Sequence, residues 1–436
     1  MTKKQISSVI KKIDYTLDDT HLKNLTDDIY NKIDAGLFDF STYKYELYTQ
    51  QSKKRKIFSY AKLSVENVLC HYLKKQIDTI FNIHYASRNK IMNRLFNTLP
   101  VIKNMNDFVI IRADFKSFFD SILAEHVYEK YIRQSLMSRG DKEILEDYIK
   151  NFKYCYAGLC LSNGLAEIIC REFDNCIMAR LEKYGLFFYE RYVDDMLIMT
   201  NSFVSQDKFM EIINETIVEV FGRSPVKINT GIGKFSYITK RNLSQSNRFN
   251  FLGYDFNMKF ASNKIYFEYG ITEKKIKKYT NIIEKAFREY SMTDDIEKFR
   301  QRLKLYSSRV VIARAIESSN FDWLTKGVVA NYNELRYRMG ELSDDTERFL
   351  RTLYFHLLKK NNCKRPYFLS NKADEDSIYN MYSSMSRKRT LLFEKTVGIS
   401  QGTVVKWIKK LDPTYLPSGK DYYRIVMDYL SLVKIE

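Results

Sequence analysis

The chain has 436 residues, 45% of them hydrophobic, which excludes a disordered polymer and allows a large core in roughly two to four domain-sized units. Seventy-one Lys and Arg against 53 Asp and Glu leave a net charge of +18 and a pI near 9.3, the balance expected of a protein with a polyanionic partner. No run of about 20 apolar residues offers a membrane span, and residues 1–12 hold no signal-peptide core, so a cytoplasmic location with no membrane partner is expected.

In chain order, residues 1–56 read as a polar, helical N-terminal extension. It ends in the run Lys53-Lys54-Arg55-Lys56, a solvated or backbone-binding surface at a boundary. Residues 57–106 read as mostly helical. Val109, Ile110 and Ile111 form a β-branched run, the mark of a buried strand, which ends at Asp114. Long helices are predicted across 141–184, a hairpin around 191–199, a helix over 205–221, and strands around 226–240 and 249–256.

Further on, Ile276, Tyr279, Ile283, Phe287 and Tyr290 recur at helical spacing with lysines between them. A second helix is predicted from Thr293, with Asp294 and Asp295 in its first turn, to about Ile316. Residues 345–436 read as a helical C-terminal region. Leu391-Leu392-Phe393, a turn containing Gly398, and Val404, Trp407 and Ile408 make a helix-turn-helix pattern over 387–411. Six cysteines, four of them between 155 and 176, form no Cys-x-x-Cys pair, and the five histidines are dispersed, so a zinc site is not expected. The thiols read as small buried apolar groups.

The most informative stretch is Arg191-Tyr192-Val193-Asp194-Asp195, followed by Met196-Leu197-Ile198-Met199. Side chains alternate faces along a strand, so two adjacent carboxylates act together only from a tight turn. Crowded anions repel, and a bound cation is the usual remedy. The other Asp-Asp pairs (18–19, 27–28, 294–295, 344–345) lie in polar sequence and read as caps or solvated loops. Asp114, at a strand end, is a third hard-oxygen ligand of the kind Mg²⁺ prefers.

These residues resemble the motifs of reverse transcriptases. Asp114-Phe115-Lys116-Ser117-Phe118-Phe119-Asp120 looks like motif A and Tyr192-Val193-Asp194-Asp195 like motif C. Gly158-Leu159-Cys160-Leu161-Ser162-Asn163-Gly164-Leu165-Ala166-Glu167 stands where motif B belongs. Lys234 falls where motif D places its lysine, and Phe249-Asn250-Phe251-Leu252-Gly253-Tyr254 looks like the motif E turn. Five motifs in family order, covering roughly residues 60–260, make the likeness specific. Motif B departs from the common form, with Tyr156-Ala157 where Pro-Gln is usual. That departure, and Ser87-Arg88-Asn89-Lys90-Ile91 with Arg94, look more like the defence-associated, abortive-infection class of prokaryotic enzymes.

The resemblance implies an α+β right-hand fold of fingers, palm and helical thumb. Fingers and palm would occupy 57–256, the thumb 257–344, and a helical region 345–436. It implies a nucleotidyltransferase, an RNA-directed DNA polymerase. Asp114, Asp194 and Asp195, with Phe115 added to the set, would hold two Mg²⁺ ions, for which Mn²⁺ substitutes. Lys234 would offset charge on the departing pyrophosphate. Arg88, Lys90, Arg94, Gly158, Ser162 and Tyr192 would meet the dNTP, Phe119 would close space against a ribose 2′-OH, and Phe251, Leu252 and Gly253 would grip the primer. The implied partners are a noncoding RNA template and the DNA product, with a second copy or a partner protein left open. Arg112 could also reach a phosphate from the Asp114 strand. Template-independent or protein-templated synthesis on the same palm, and a non-catalytic nucleic-acid-binding module, are the alternatives.

Overall fold

A computed structural model describes residues 1–14, 17–50, 53–243, 246–262, 264–317, 320–369 and 378–434. The chain divides into two compact units, Met1–Arg94 with Asn104–Leu243, and Leu95–Lys103 with Ser244–Glu436. Helix and antiparallel sheet are mixed in both.

The first unit opens with helices α1 (Lys3–Ile13) and α2 (Asp19–Asp34), then a hairpin of β1 (Lys44–Gln50) and β2 (Lys53–Ser59). The hairpin corrects the helical expectation for 1–56: the basic run lies in β2. Tyr-, Leu- and Thr-rich sequence over 45–49 favours a strand once a partner is adjacent. Helix α3 (Val65–Ile80) starts where the Ser64 side chain accepts from the Asn67 amide at 3.2 Å, with Glu66 in the first turn. Helix α4 (Arg88–Ile102) follows, and from Leu95 onward it counts with the second unit.

The centre of this unit is a four-stranded antiparallel sheet. It contains β3 (Val109–Asp114), β4 (Leu186–Tyr192), β5 (Asp195–Thr200) and β6 (Ser236–Thr239), in the order β4-β5-β3-β6. All six residues of β3 are buried, as its β-branched run predicts for a strand paired on both edges. Helices α5 (Ala124–Val127), α6 (Arg139–Asn151), α7 (Cys160–Leu181) and α8 (Gln206–Phe221) complete the unit. The Phe115 ring packs against Phe118, Phe173 and Phe221 at centroid distances of 5.3 to 5.9 Å, and so anchors the end of β3 beneath α7 and α8.

The second unit holds a meander of β7 (Ser246–Phe251), β8 (Tyr254–Ala261) and β9 (Lys264–Ile271). Helix α9 (Glu273–Thr293) follows the predicted period. The next helix, α10 (Ile296–Ser307), is capped by Asp295, not Thr293, and stops before Arg309. The remainder of the predicted helix is a strand, β10 (Arg309–Glu317), paired antiparallel with β11 (Asn320–Lys326). Val310, Val311 and Ile312 are β-branched, and sheet partners decide their state. This region is therefore not the all-helical thumb expected.

After α11 (Val328–Asn331), α12 (Asp344–Lys360) and α13 (Met381–Ser386), residues Thr390–Phe393 form β12, parallel to β10. Helices α14 (Gln401–Leu411) and α15 (Tyr422–Val433) end the fold. The helix-turn-helix expectation fails at its first helix, because Leu391, Leu392 and Phe393 are drawn into a ladder with Val310, Val311 and Ile312. Val404 and Ile408 do face inward.

Candidate active site

Strand register brings the three aspartates together. On β3 and β5, Asp114 lies directly opposite Asp195. On β4 and β5, Tyr192 pairs with Asp195, so Val193 and Asp194 alone form the hairpin turn. Val193 adopts φ +59°, a left-handed conformation that costs a β-branched residue about 1–3 kcal/mol. Two contacts hold the turn: the Phe115 amide donates to the Asp194 carbonyl at 3.0 Å, and Arg191 Nη1 donates to the Val193 carbonyl at 3.0 Å.

Asp114 is buried, Asp194 and Asp195 are half-buried, and cations compensate Asp114 and Asp195. Asp114 is 4% exposed and receives Lys234 Nζ at 2.6 Å. Asn229 donates to it from its side chain at 3.3 Å, and the Asn229 amide donates to the Asp114 carbonyl at 2.7 Å. Arg112 Nε donates to Asp195 at 2.8 Å, while its Nη1 donates to the Gly233 carbonyl at 2.7 Å. The segment 229–234 is thus latched to β3 at Arg112 and Asp114, and Arg112 carries the link on to Asp195 of β5. Burial, with Asp114 and Asp194 close by, pushes the Asp195 carboxyl up to about 6 despite the opposing Arg112 guanidinium.

This donor set suits a hard divalent cation. Three carboxylates converge on two strand ends, and burial in the first place, with the neighbouring Asp114 and Asp194 adding to it, raises the Asp195 carboxyl. Among the described residues no group of three His, Cys, Asp or Glu side chains forms a ready metal cage. Mg²⁺ does not need one, since it takes one or two carboxylates and completes its shell with water and phosphates. Lys234 and Arg112 carry the compensating charge in this structure.

A cavity of about 130 Å³ opens beside the turn. Tyr85, Phe118, Phe119, Asn163, Glu167, Tyr192 and Val193 line it. Phe119 and Tyr192 therefore share the wall of one cavity. The other expected nucleotide contacts stand elsewhere. Ser162 is 1% exposed, because the helical period of α7 turns it into the core while Asn163 and Glu167 face the cavity. Gly158, at φ +100°, serves a close approach: a Cβ there would lie 2.3 Å from the Phe58 carbonyl oxygen of β2, and the Phe58 amide donates to the Ala157 carbonyl at 2.9 Å. Motif B is thereby pinned to the hairpin.

Arg88 opens α4, and Lys90 is exposed on its first turn. Arg94 pairs with Glu190 of β4 at 2.7 Å and lies over the Phe188 ring. Phe115 is 1% exposed, so only its carbonyl oxygen could reach a metal. Phe251 is likewise buried, and Leu252 and Gly253 form the β7–β8 turn in the second unit.

Sequence reading missed several residues. Arg112, read as a phosphate contact, instead binds Asp195. Asn229 lay unassigned in the segment that leads to Lys234. A buried Arg191 and the half-buried Glu167 and Asp174 form an ion cluster beside the turn that only the fold assembles. No helix among the described residues is long and apolar enough to cross a membrane.

No protein-family model matches the chain, and no curated relative matches it. Among solved structures it is similar to apo telomerase from Candida tropicalis truncated from its C-terminal domain, at 15% identity and a TM-score of 0.34, over 54% of this chain and 58% of that one. It is also similar to telomerase from Candida albicans in complex with a TWJ fragment of telomeric RNA, at 14% identity and a TM-score of 0.40, over 91% of this chain and 62% of that one. The chain spans less than two thirds of the length of either structure. Likeness at this level decides nothing about its chemistry, which stands on its own residues.

Proposed function

We propose that the chain is a nucleic-acid polymerase of the reverse transcriptase type, adding dNTPs to a primer hydroxyl on an RNA template. The observation that carries the reading is the register: Asp114 faces Asp195 across β3 and β5, Asp194 sits in the adjoining turn, and Lys234 reaches Asp114. Two divalent ions, Mg²⁺ with Mn²⁺ as a substitute, would supply positive charge at the attacking and leaving oxygens of phosphoryl transfer. Asp114, Asp194 and Asp195 are the residues that would hold them.

The chain's own groups do the rest. Strand pairing fixes the carboxylates before substrate arrives, which makes catalysis mostly positioning. Lys234 is 39% exposed at its side chain and has a donor to offer a leaving pyrophosphate. The Phe119 ring narrows the cavity wall and presents no acceptor to a 2′-OH, which favours deoxynucleotides. The +18 charge suits long-range attraction of template and product. From the motif resemblance, the proposal extends to a cytoplasmic antiphage role with a dedicated noncoding RNA template.

A second reading, template-independent synthesis on the same site, is favoured by one observation. Ala157 carries only a methyl group, with no polar atom to meet a nucleotide, and its carbonyl is engaged by Phe58. Primer extension with the full chain tests both. RNA-templated dNTP incorporation, abolished by Asp194→Ala with Asp195→Ala at unchanged melting temperature, is expected. Incorporation that survives the double substitution would sink the catalytic assignment, and polymer made after complete RNase digestion would select the second reading.

A further inference from the structure

Arg191 is buried, and all five of its N–H donors are used. Nε and Nη2 fork onto Asp174 at 2.8 to 3.1 Å, Nη1 and Nη2 onto Glu167 at 3.3 and 2.8 Å, and Nη1 also reaches the Val193 carbonyl at 3.0 Å. The Tyr189 hydroxyl donates to Asp174 at 2.6 Å. With its carboxylates 20% and 21% exposed the cluster is half-buried, and such an ion cluster is weak evidence of stabilisation, because well-packed apolar groups serve as well or better. What apolar groups cannot do is hold a main-chain carbonyl. The carbonyl held here belongs to the one residue of the turn in a left-handed conformation, immediately before Asp194. Glu167, at the other end of the fork, lines the Phe119 cavity together with Val193.

We propose that Glu167, Arg191 and Asp174 are positioning residues: the arginine fork fixes the Val193 carbonyl and so aims Asp194, and Glu167 ties that aim to the wall of the cavity. The proposal rests on the polymerase reading of the site. It assigns to the Glu of motif B a task that reaches motif C through one arginine, without contact with the reacting atoms. Strain at Val193 persists because the fork and the Phe115 amide over-determine the turn.

The test uses the full chain with three readouts: Mn²⁺ affinity by electron paramagnetic resonance without nucleotide, kcat and KM for a dNTP, and melting temperature. Glu167→Gln is expected to weaken Mn²⁺ binding about tenfold and to lower kcat about 10- to 100-fold, with KM within about twofold. Glu172→Gln is the charge control on the same helix, since that carboxylate binds Lys130 and Tyr131 instead; it should leave Mn²⁺ affinity and kcat unchanged. If Glu167→Gln unfolds, Tyr189→Phe, which removes one hydroxyl from Asp174, carries the same test with an expected drop of about threefold in both. Wild-type Mn²⁺ affinity and kcat in the variant, or a change in KM alone, overturns the proposal, as does an equal loss in the Glu172 control. Mn²⁺ affinity is read without synthesis, so a wild type that makes no DNA sinks the polymerase reading separately.

Discussion

Two hairpin turns in this chain solve one geometric problem in opposite ways. Between β4 and β5, Tyr192 pairs with Asp195 and the turn is Val193-Asp194; between β7 and β8, Phe251 pairs with Tyr254 and the turn is Leu252-Gly253. The second has positive φ at both central residues, +49° and +87°, and uses a glycine. The first has a positive φ at its first central position, where glycine is the ordinary choice, and places valine there with a carboxylate next. In the second unit the turn closes a meander. In the first, Asp194 supplies a carboxylate that glycine cannot, and Arg191 and the Phe115 amide offset the strain from outside the turn.

The largest expected effect breaks the first turn. Val193→Gly removes the left-handed penalty, so unfolding free energy should change by no more than about 1 kcal/mol. Turnover should nevertheless fall about 100-fold, equivalent to about 2.7 kcal/mol of barrier, because the turn is no longer held to one conformation. Unchanged kcat in primer extension would remove the functional meaning of the strain.

Gly253→Ala should do the reverse. The added Cβ would stand 3.0 Å from the Tyr332 hydroxyl at a φ that L-residues avoid, costing about 1–2 kcal/mol by denaturant unfolding. A drop in kcat per folded molecule, larger than the loss in stability, would instead support the primer grip that the motif resemblance implies for Phe251, Leu252 and Gly253.

The smallest effect concerns pH, and again the two units differ in sign. Asp195 is raised to about 6 when folded, so the folded state binds its proton more tightly than the unfolded chain. This group's contribution is most favourable below about pH 4, and stability declines as pH rises from there through 6. Glu289 of α9 behaves oppositely. Burial pushes against ionisation, but hydrogen bonds from Lys298 and Arg302 hold its carboxyl at about 2, so its stabilisation is full above pH 4.5 and is lost as pH falls toward 2. Unfolding midpoints in EDTA between pH 2 and 7 check both. Asp195→Asn should flatten the limb between pH 4 and 6, and Glu289→Gln the limb below 4.5. Flattening of neither limb would mean that these charges are not the ones that titrate.

Much of the candidate site was legible because its signals are local. A β-branched run before Asp114 announces a buried strand, and Asp194-Asp195 between apolar runs announces a hairpin. What escaped was non-local. Val310-Val311-Ile312 suits helix or strand until β11 and β12 arrive as partners, and Leu391–Phe393 was misread as a helix for the same reason. Residues 44–59 looked like polar helix because neither strand is complete without the other. Ser162 and Asn163 are adjacent in sequence, and only the packing of α7 sends the first into the core and the second to the cavity.

Sequence alone determined the basic, globular character of the chain, the β3 strand and a hairpin carrying Asp194-Asp195, because composition and short-range patterning suffice for these; the register moved the turn itself to Val193-Asp194. Tertiary structure decided which donors compensate which acceptors. Arg112 on Asp195, Lys234 and Asn229 on Asp114, and Arg191 under the turn join residues from about 20 to more than 100 positions apart. Electrostatic partnership depends on distance and burial, and neither exists until the strands are in register.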